Sequence, residues 1–158
     1  MKYFLSCVLS VVIPFIAIAG ETGYAGFNVT YDGGSVPDVK AGAGVKLFLE
    51  GSQIRFAREK KDVVTIPASA VTEISYGQDV HRRIGTAVGV GIVTFGIGAL
   101  VALSKSKKHY IGITWADGET KGGLAMQCDK NEYRGILTGL EGVTGKKAVD
   151  ASTLTVKN

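Results

Sequence analysis

Phe27, Val29 and Tyr31 alternate with polar neighbours, the period-two pattern of a strand with one buried face. Asp32-Gly33-Gly34-Ser35 and Pro37-Asp38 then mark a loop. Residues 45–50 and 53–57 flank Gly51-Ser52 and predict a hairpin. The charged stretch 58–62 reads as a turn into a strand over 63–66. Pro67 has no N–H for a ladder, so extended structure breaks there and restarts through Val71 and Ile74. A second hairpin is expected over 110–115 and 120–128 about Asp117-Gly118, with Leu124, Met126 and Cys128 on one face. The period then changes. Tyr133, Ile136, Leu137 and Leu140 form one helical stripe, with Asp129 and Glu132 as a D-x-x-E capping box before it and Gly142 as its stop. The pattern predicts a mainly β fold of six to seven short strands, barrel or sheet, capped by one amphipathic C-terminal helix. Residues 144–158 read as a mobile polar tail.

Two segments depart from this pattern. Met1-Lys2 is followed by an apolar run over 3–18, and Ala17-Ile18-Ala19 supplies small residues two apart. This layout predicts a signal peptide over 1–19, cleaved before Gly20, and export to the periplasmic face of a bacterial membrane. An uncleaved anchor helix is the rival reading; Pro14 and the small-x-small site favour cleavage. Removal of the segment leaves Cys128 as the only thiol, which reads as a small buried hydrophobe.

The second segment, 84–103, reads IGTAVGVGIVTFGIGALVAL and carries no charge. A straight helix over it would be about 30 Å long, enough to cross a bilayer core. Its glycines are Gly85, Gly89, Gly91, Gly96 and Gly98, and small residues at G-x-x-x-G spacing let helices approach closely. His81, Arg82 and Arg83 precede it, Lys105, Lys107, Lys108 and His109 follow it, and no acidic residue occurs between Val80 and Ala116. A single span has basic asymmetry between its ends. Two basic ends suit a helical hairpin that bends at Thr94-Phe95-Gly96 and returns to the same membrane face. Each arm would reach about 15 Å. Arg82, Arg83, Lys105, Lys107 and Lys108 would then meet anionic headgroups, at about 1 kcal/mol each. A buried hairpin, or a patch for self-association, is the alternative.

Composition narrows the class further. Of 158 residues, 46 % are hydrophobic, too many for a disordered chain, and the length suits about one domain. Two cysteines exclude a disulfide-stapled miniprotein, and two apolar segments exclude a many-pass transporter. The net charge of +4 could suggest nucleic acid, but export argues against that partner, and the basic residues gather around the apolar segment. His81, His109 and Asp79 could converge on a metal if the segment folds back, yet no C-x-x-C, H-E-x-x-H or close His pair supports it. Neither a P-loop nor a G-x-S-x-G elbow occurs. The expectation is therefore no catalytic residue, no metal and no cofactor.

The element order, together with Ile66-Pro67, Val71 and Ile74, resembles pleckstrin-homology-like and GRAM-like domains. Residues 103–110 (LSKSKKHY) and 129–147 also resemble a group of exported bacterial proteins in which a Gly-rich apolar stretch interrupts the barrel. The resemblance spans 26–147 and implies a single domain over 20–143 containing the insertion at 84–103. It also implies a binding module whose ligand the resemblance does not name; the expected partner of the barrel is a protein or peptide. The sequence departs from phosphoinositide-binding members, whose first hairpin carries a Lys/Arg cluster. Here Lys40, Lys46, Arg55 and Arg58 are scattered, with Glu50 among them.

Overall fold

The computed structural model describes residues 26–77, 80, 84 and 108–151. Its strands are β1 (Phe27–Gly34), β2 (Ala43–Glu50), β3 (Gln53–Arg58), β4 (Lys61–Pro67), β5 (Val71–Tyr76), β6 (His109–Asp117), β7 (Thr120–Cys128) and β8 (Ala148–Asp150). A 3-10 turn over Ala68–Ala70 joins β4 to β5, and helix α1 (Tyr133–Thr144) lies between β7 and β8. All eight strands form one sheet in the order β4-β3-β2-β1-β7-β6-β5-β8. Every pairing is antiparallel except β5 with β8. The sheet is not closed, and β4 and β8 are its edges. Since β4 and β5 are joined by the short 3-10 turn yet lie far apart in the strand order, the sheet must curl.

Alternation explains the main core. Val29 and Tyr31 from β1, Leu47 from β2, Ile54 and Phe56 from β3, Ile74 from β5, and Ile111 and Ile113 from β6 are all buried in it. Leu124, Met126 and Cys128 of β7 join them, as their shared face predicts. Helix α1 covers this face with Ile136 and Leu140, both 0 % exposed, and with Tyr133, Leu137 and Val143 partly buried beside them. Burying such side chains contributes about 1.5–3 kcal/mol each.

The β4 edge is protected against pairing with another chain. A register shift between Phe56 and Ala57 lets Val63 bulge out of the β3–β4 ladder, Lys61 and Asp62 place charge at its start, and Pro67 ends it.

The helix boundaries differ from the expectation at both ends. The helix begins at Tyr133 with Glu132 as N-cap and no side-chain cap bond. Asp129 instead closes the preceding turn: its Oδ1 accepts the Asn131 N–H at 2.8 Å, and its carbonyl accepts the Tyr133 N–H at 2.9 Å. Gly142 sits inside the helix. The stop is Gly145, whose φ of 68° only glycine adopts cheaply and whose N–H donates to the Glu141 carbonyl at 2.8 Å. The polar-tail expectation fails over the next residues, because the Glu141 carboxylate accepts the Ala148 N–H at 2.8 Å and steers the chain into β8. That strand pairs with β5 through Ile74↔Ala148, Ser75↔Val149 and Tyr76↔Asp150, so the strands number eight rather than six or seven. The Ala148 N–H and the Lys147 ammonium hold the Glu141 carboxyl below its usual range.

The other side of the sheet carries a second, smaller core of Val80, Ile84, Tyr110, Ala125 and Ala151. Val80 and Ile84 are helical, one turn apart, and 0 % and 2 % exposed. They pack where β6 has no side chain: a Cβ on Gly112 would lie 2.5 Å from Val80 Cγ1 and 2.7 Å from Ser75 Oγ. Gly112→Val should therefore lower stability by about 2 kcal/mol in urea unfolding. Gly44→Ala, with nothing within 4 Å of the added carbon, should not lower it.

Candidate functional site

The insertion leaves and re-enters the sheet at one place. Tyr76 of β5 pairs with Ile111 of β6, and the Gly77 N–H donates to the Tyr110 carbonyl at 3.1 Å. The connection between β5 and β6 is therefore a hairpin loop in which both ends stand side by side. Ile84, the first residue of the apolar segment, is packed on the sheet, and Lys108 directly precedes β6. Of the five basic residues expected at headgroups, Lys108 is placed at this root, while Arg82, Arg83, Lys105 and Lys107 lie outside the described residues. The same holds for Gly85, Gly89, Gly91, Gly96 and Gly98, and hence for the expected apolar hairpin beyond Ile84. Among the described residues no helix is long and apolar enough to cross a membrane.

His109 has a role in this root that the sequence pattern did not suggest. Its imidazole stacks on the Tyr133 ring, with centroids 4.4 Å apart and planes 17° from parallel, and so joins the start of β6 to the start of α1. Asp79 and His81 lie outside the described residues. Among the described residues no group of three His, Cys, Asp or Glu side chains could hold a metal.

A groove of about 660 Å³ lies on the outward face of β1–β3, under the β3–β4 turn. The volume is within the usual range of small-ligand sites. Strand alternation sends Asn28 and Thr30 of β1, and Gly44 and Lys46 of β2, to its floor, and Gly44 leaves space there. Arg58, Glu59 and Lys60 form its lip. Thus Lys46, Arg55 and Arg58, scattered in the sequence, meet around one concavity with Lys60 added, while Lys40 does not line it.

These cations are not equivalent. Arg55 binds Glu50 Oε1 through Nη2 at 2.6 Å and Nε at 3.2 Å, and Asp62 Oδ1 through Nη1 at 2.9 Å. Its guanidinium also lies 4.3 Å from the centroid of the Phe48 ring. The hydrogen bonds it donates, to Glu50 first and then to Asp62, push its pKa up, so it stays charged and is already matched by two carboxylates. Arg58 reaches Glu59 at 3.3 Å. Lys46 and Lys60 pair with no carboxylate among the described residues. The lip itself is strained: Glu59 and Lys60 have φ of 51° and 67°, the left-handed geometry of a two-residue turn that favours Asn-Gly. Such a conformation costs about 1–2 kcal/mol per non-glycine residue.

The single thiol sits in the main core rather than in the groove. Cys128 is 5 % exposed, and burial, with a smaller effect of the Glu132 charge, pushes its pKa up to about 12. That environment suppresses the thiolate that nucleophilic or redox chemistry requires.

Compared with known proteins, the chain matches no family model and no curated sequence.

The Cys128 thiol gives a pH signature. Unfolded, it ionises near 9.0; folded, it keeps its proton to about 12. Above pH 9 the unfolded chain thus binds fewer protons, and stability falls as pH rises, on the order of 1 kcal/mol per pH unit. Urea midpoints at pH 8 and 10.5 should show a smaller fall for Cys128→Ala than for the native chain.

Proposed function

We propose that the protein is an exported, non-catalytic, membrane-associated binding module of pleckstrin-homology-like character. Its apolar insertion dips into or lies on a leaflet at the periplasmic face, and Arg82, Arg83, Lys105, Lys107 and Lys108 meet anionic headgroups. The curled sheet holds a protein or peptide partner, and no cofactor enters the scheme. Seven strands followed by a helix across the main core support the pleckstrin-homology-like part of the reading. The addition of β8 and the open sheet are its departures from a closed barrel.

The observation that carries the membrane part is the shared root of the insertion. With Gly77 hydrogen-bonded to Tyr110 and Ile84 packed on the sheet, both ends start from one point. A straight helix over 84–103 would travel about 30 Å outward. The five residues 104–108 could bring the chain back by only about 18 Å. A fold-back is the geometry that fits these lengths, and it puts both basic flanks on one side of a bilayer.

A second reading has its own support. Ile84 is buried against protein, at Gly112 and Ala125, so the start of the segment already prefers packing to lipid. Continued in the same manner, the Gly-rich segment would pack against copies of itself and make a structural oligomer.

Flotation with vesicles rich in phosphatidylglycerol separates the two. The membrane reading expects the protein to float, deletion of 85–103 to abolish flotation, and Arg82→Glu with Arg83→Glu to weaken it. Absence of binding, or binding indifferent to the deletion, contradicts it. If the oligomer reading holds, Gly85→Leu with Gly89→Leu abolishes crosslinked species instead.

A further inference from the structure

We infer that the groove under the β3–β4 turn is a docking site for an extended acidic segment of a partner protein; this rests on the partner-binding part of the function proposed above and gives that partner its chemistry. The cations around the groove differ in what already neutralises them. Arg55 is fixed by Glu50, Asp62 and Phe48 and serves as a wall, and Arg58 is matched by Glu59. Lys46 and Lys60 are exposed and line the groove without a carboxylate among the described residues. An anionic occupant supplies what these two lack.

The length of the groove suits a chain: its lining runs along β2 from Gly44 to Phe48, about 13 Å at 3.3 Å per extended residue. Lys46 is paired with Ala57, and Lys60 lies three residues further along the same hairpin, past Arg58. One strand spacing from β2 to β3 and the turn beyond Arg58 separate the α-carbons of Lys46 and Lys60 by on the order of 10 Å. Carboxylates two or three residues apart on an extended peptide span about 7–10 Å and can reach both. On the side of Lys46 away from Lys60, Asn28 and Thr30 stand two residues apart on β1 and offer an amide and a hydroxyl to a backbone lying along the groove. The space over Gly44, where nothing lies within 4 Å of a Cβ, leaves room for that backbone. The left-handed Glu59-Lys60 turn forms the lip that holds Lys60 over this path.

The test uses fluorescein-labelled hexaglutamate and the full mature chain in 50 mM salt, read by anisotropy. Saturable binding is expected, weakening as salt rises. Lys46→Glu with Lys60→Glu should weaken it at least tenfold, with circular dichroism unchanged. Lys130→Glu with Lys146→Glu makes the same change in net charge at the two ends of α1 and should weaken it less than threefold. Deletion of 85–103 should leave peptide binding intact, so loss of flotation and loss of peptide binding are separate failures. The proposal is overturned by the absence of saturable binding, by equal losses in the two lysine pairs, or by full displacement with millimolar inorganic phosphate. It is likewise overturned if phosphatidylglycerol vesicles, offered to the chain lacking 85–103, outcompete the peptide, since the groove would then be a headgroup site.

Discussion

The pairing of β5 with β6 is the constraint on which the rest of the molecule depends. These strands are separated by the whole insertion, yet they form an antiparallel ladder from Val71↔Trp115 to Tyr76↔Ile111, with one register shift between Val71 and Glu73. Closing a loop of this length costs roughly 2 kcal/mol more than closing a two-residue turn, because closure entropy grows only slowly with length. Burial of Val80 and Ile84 on the back of the sheet offsets that, at about 1.5–3 kcal/mol for each side chain. The loop is therefore tied down at its root, and the sheet tolerates a long apolar passenger. Had the pairing failed, β6 and β7 would have left β5 as an exposed edge, and α1 would have lost part of its platform.

The two faces of the sheet divide the work. The face under α1 is built from large aliphatic side chains and supplies most of the burial. The opposite face is lined at β5–β7 by small residues: Ser75, Gly112, Thr114 and Ala125. Small residues there are a packing requirement, since Val80 and Ile84 must approach the backbone of β6 closely. Further along that face, over β1–β3, no such cover is found among the described residues, and the groove opens. Thr30 of the groove pairs with Gln127, which pairs with Tyr110 of the root, so two strand spacings, about 10 Å, separate the two features. A chain anchored through its insertion would thus hold a partner segment close to the anchoring surface.

Much of the fold was legible in the sequence because its signals are local. The hairpins around Gly51-Ser52 and Asp117-Gly118 follow from alternation and turn residues, and the Tyr133–Leu140 stripe from helical spacing. Features that depend on distant partners were not. Asp129 has the composition of a helix cap, but its side chain is engaged in the turn before the helix, and Gly145 outcompetes Gly142 as the stop because only it takes the left-handed conformation. The β8 strand is three residues long and is specified by the Glu141 carboxylate and the free edge of β5, neither of which marks 148–150 as extended. The groove was hidden for a similar reason: Lys46 and Lys60 become neighbours only through the β2–β3 register. Buried Val45 and Leu47 on either side turn Lys46 away from the core. No local signal shows that Arg55 is neutralised while Lys60 is not.

If the insertion meets a membrane as proposed, the β5–β6 pairing that holds its ends together puts both flanks on one side of it. Single cysteines introduced as Asp79→Cys and Lys107→Cys, each in a Cys128→Ala background, can be labelled in intact spheroplasts with a membrane-impermeant maleimide. The account predicts that both positions react from outside, at comparable rates. Labelling at one position with protection of the other until the membrane is permeabilised would place the flanks on opposite sides and contradict it.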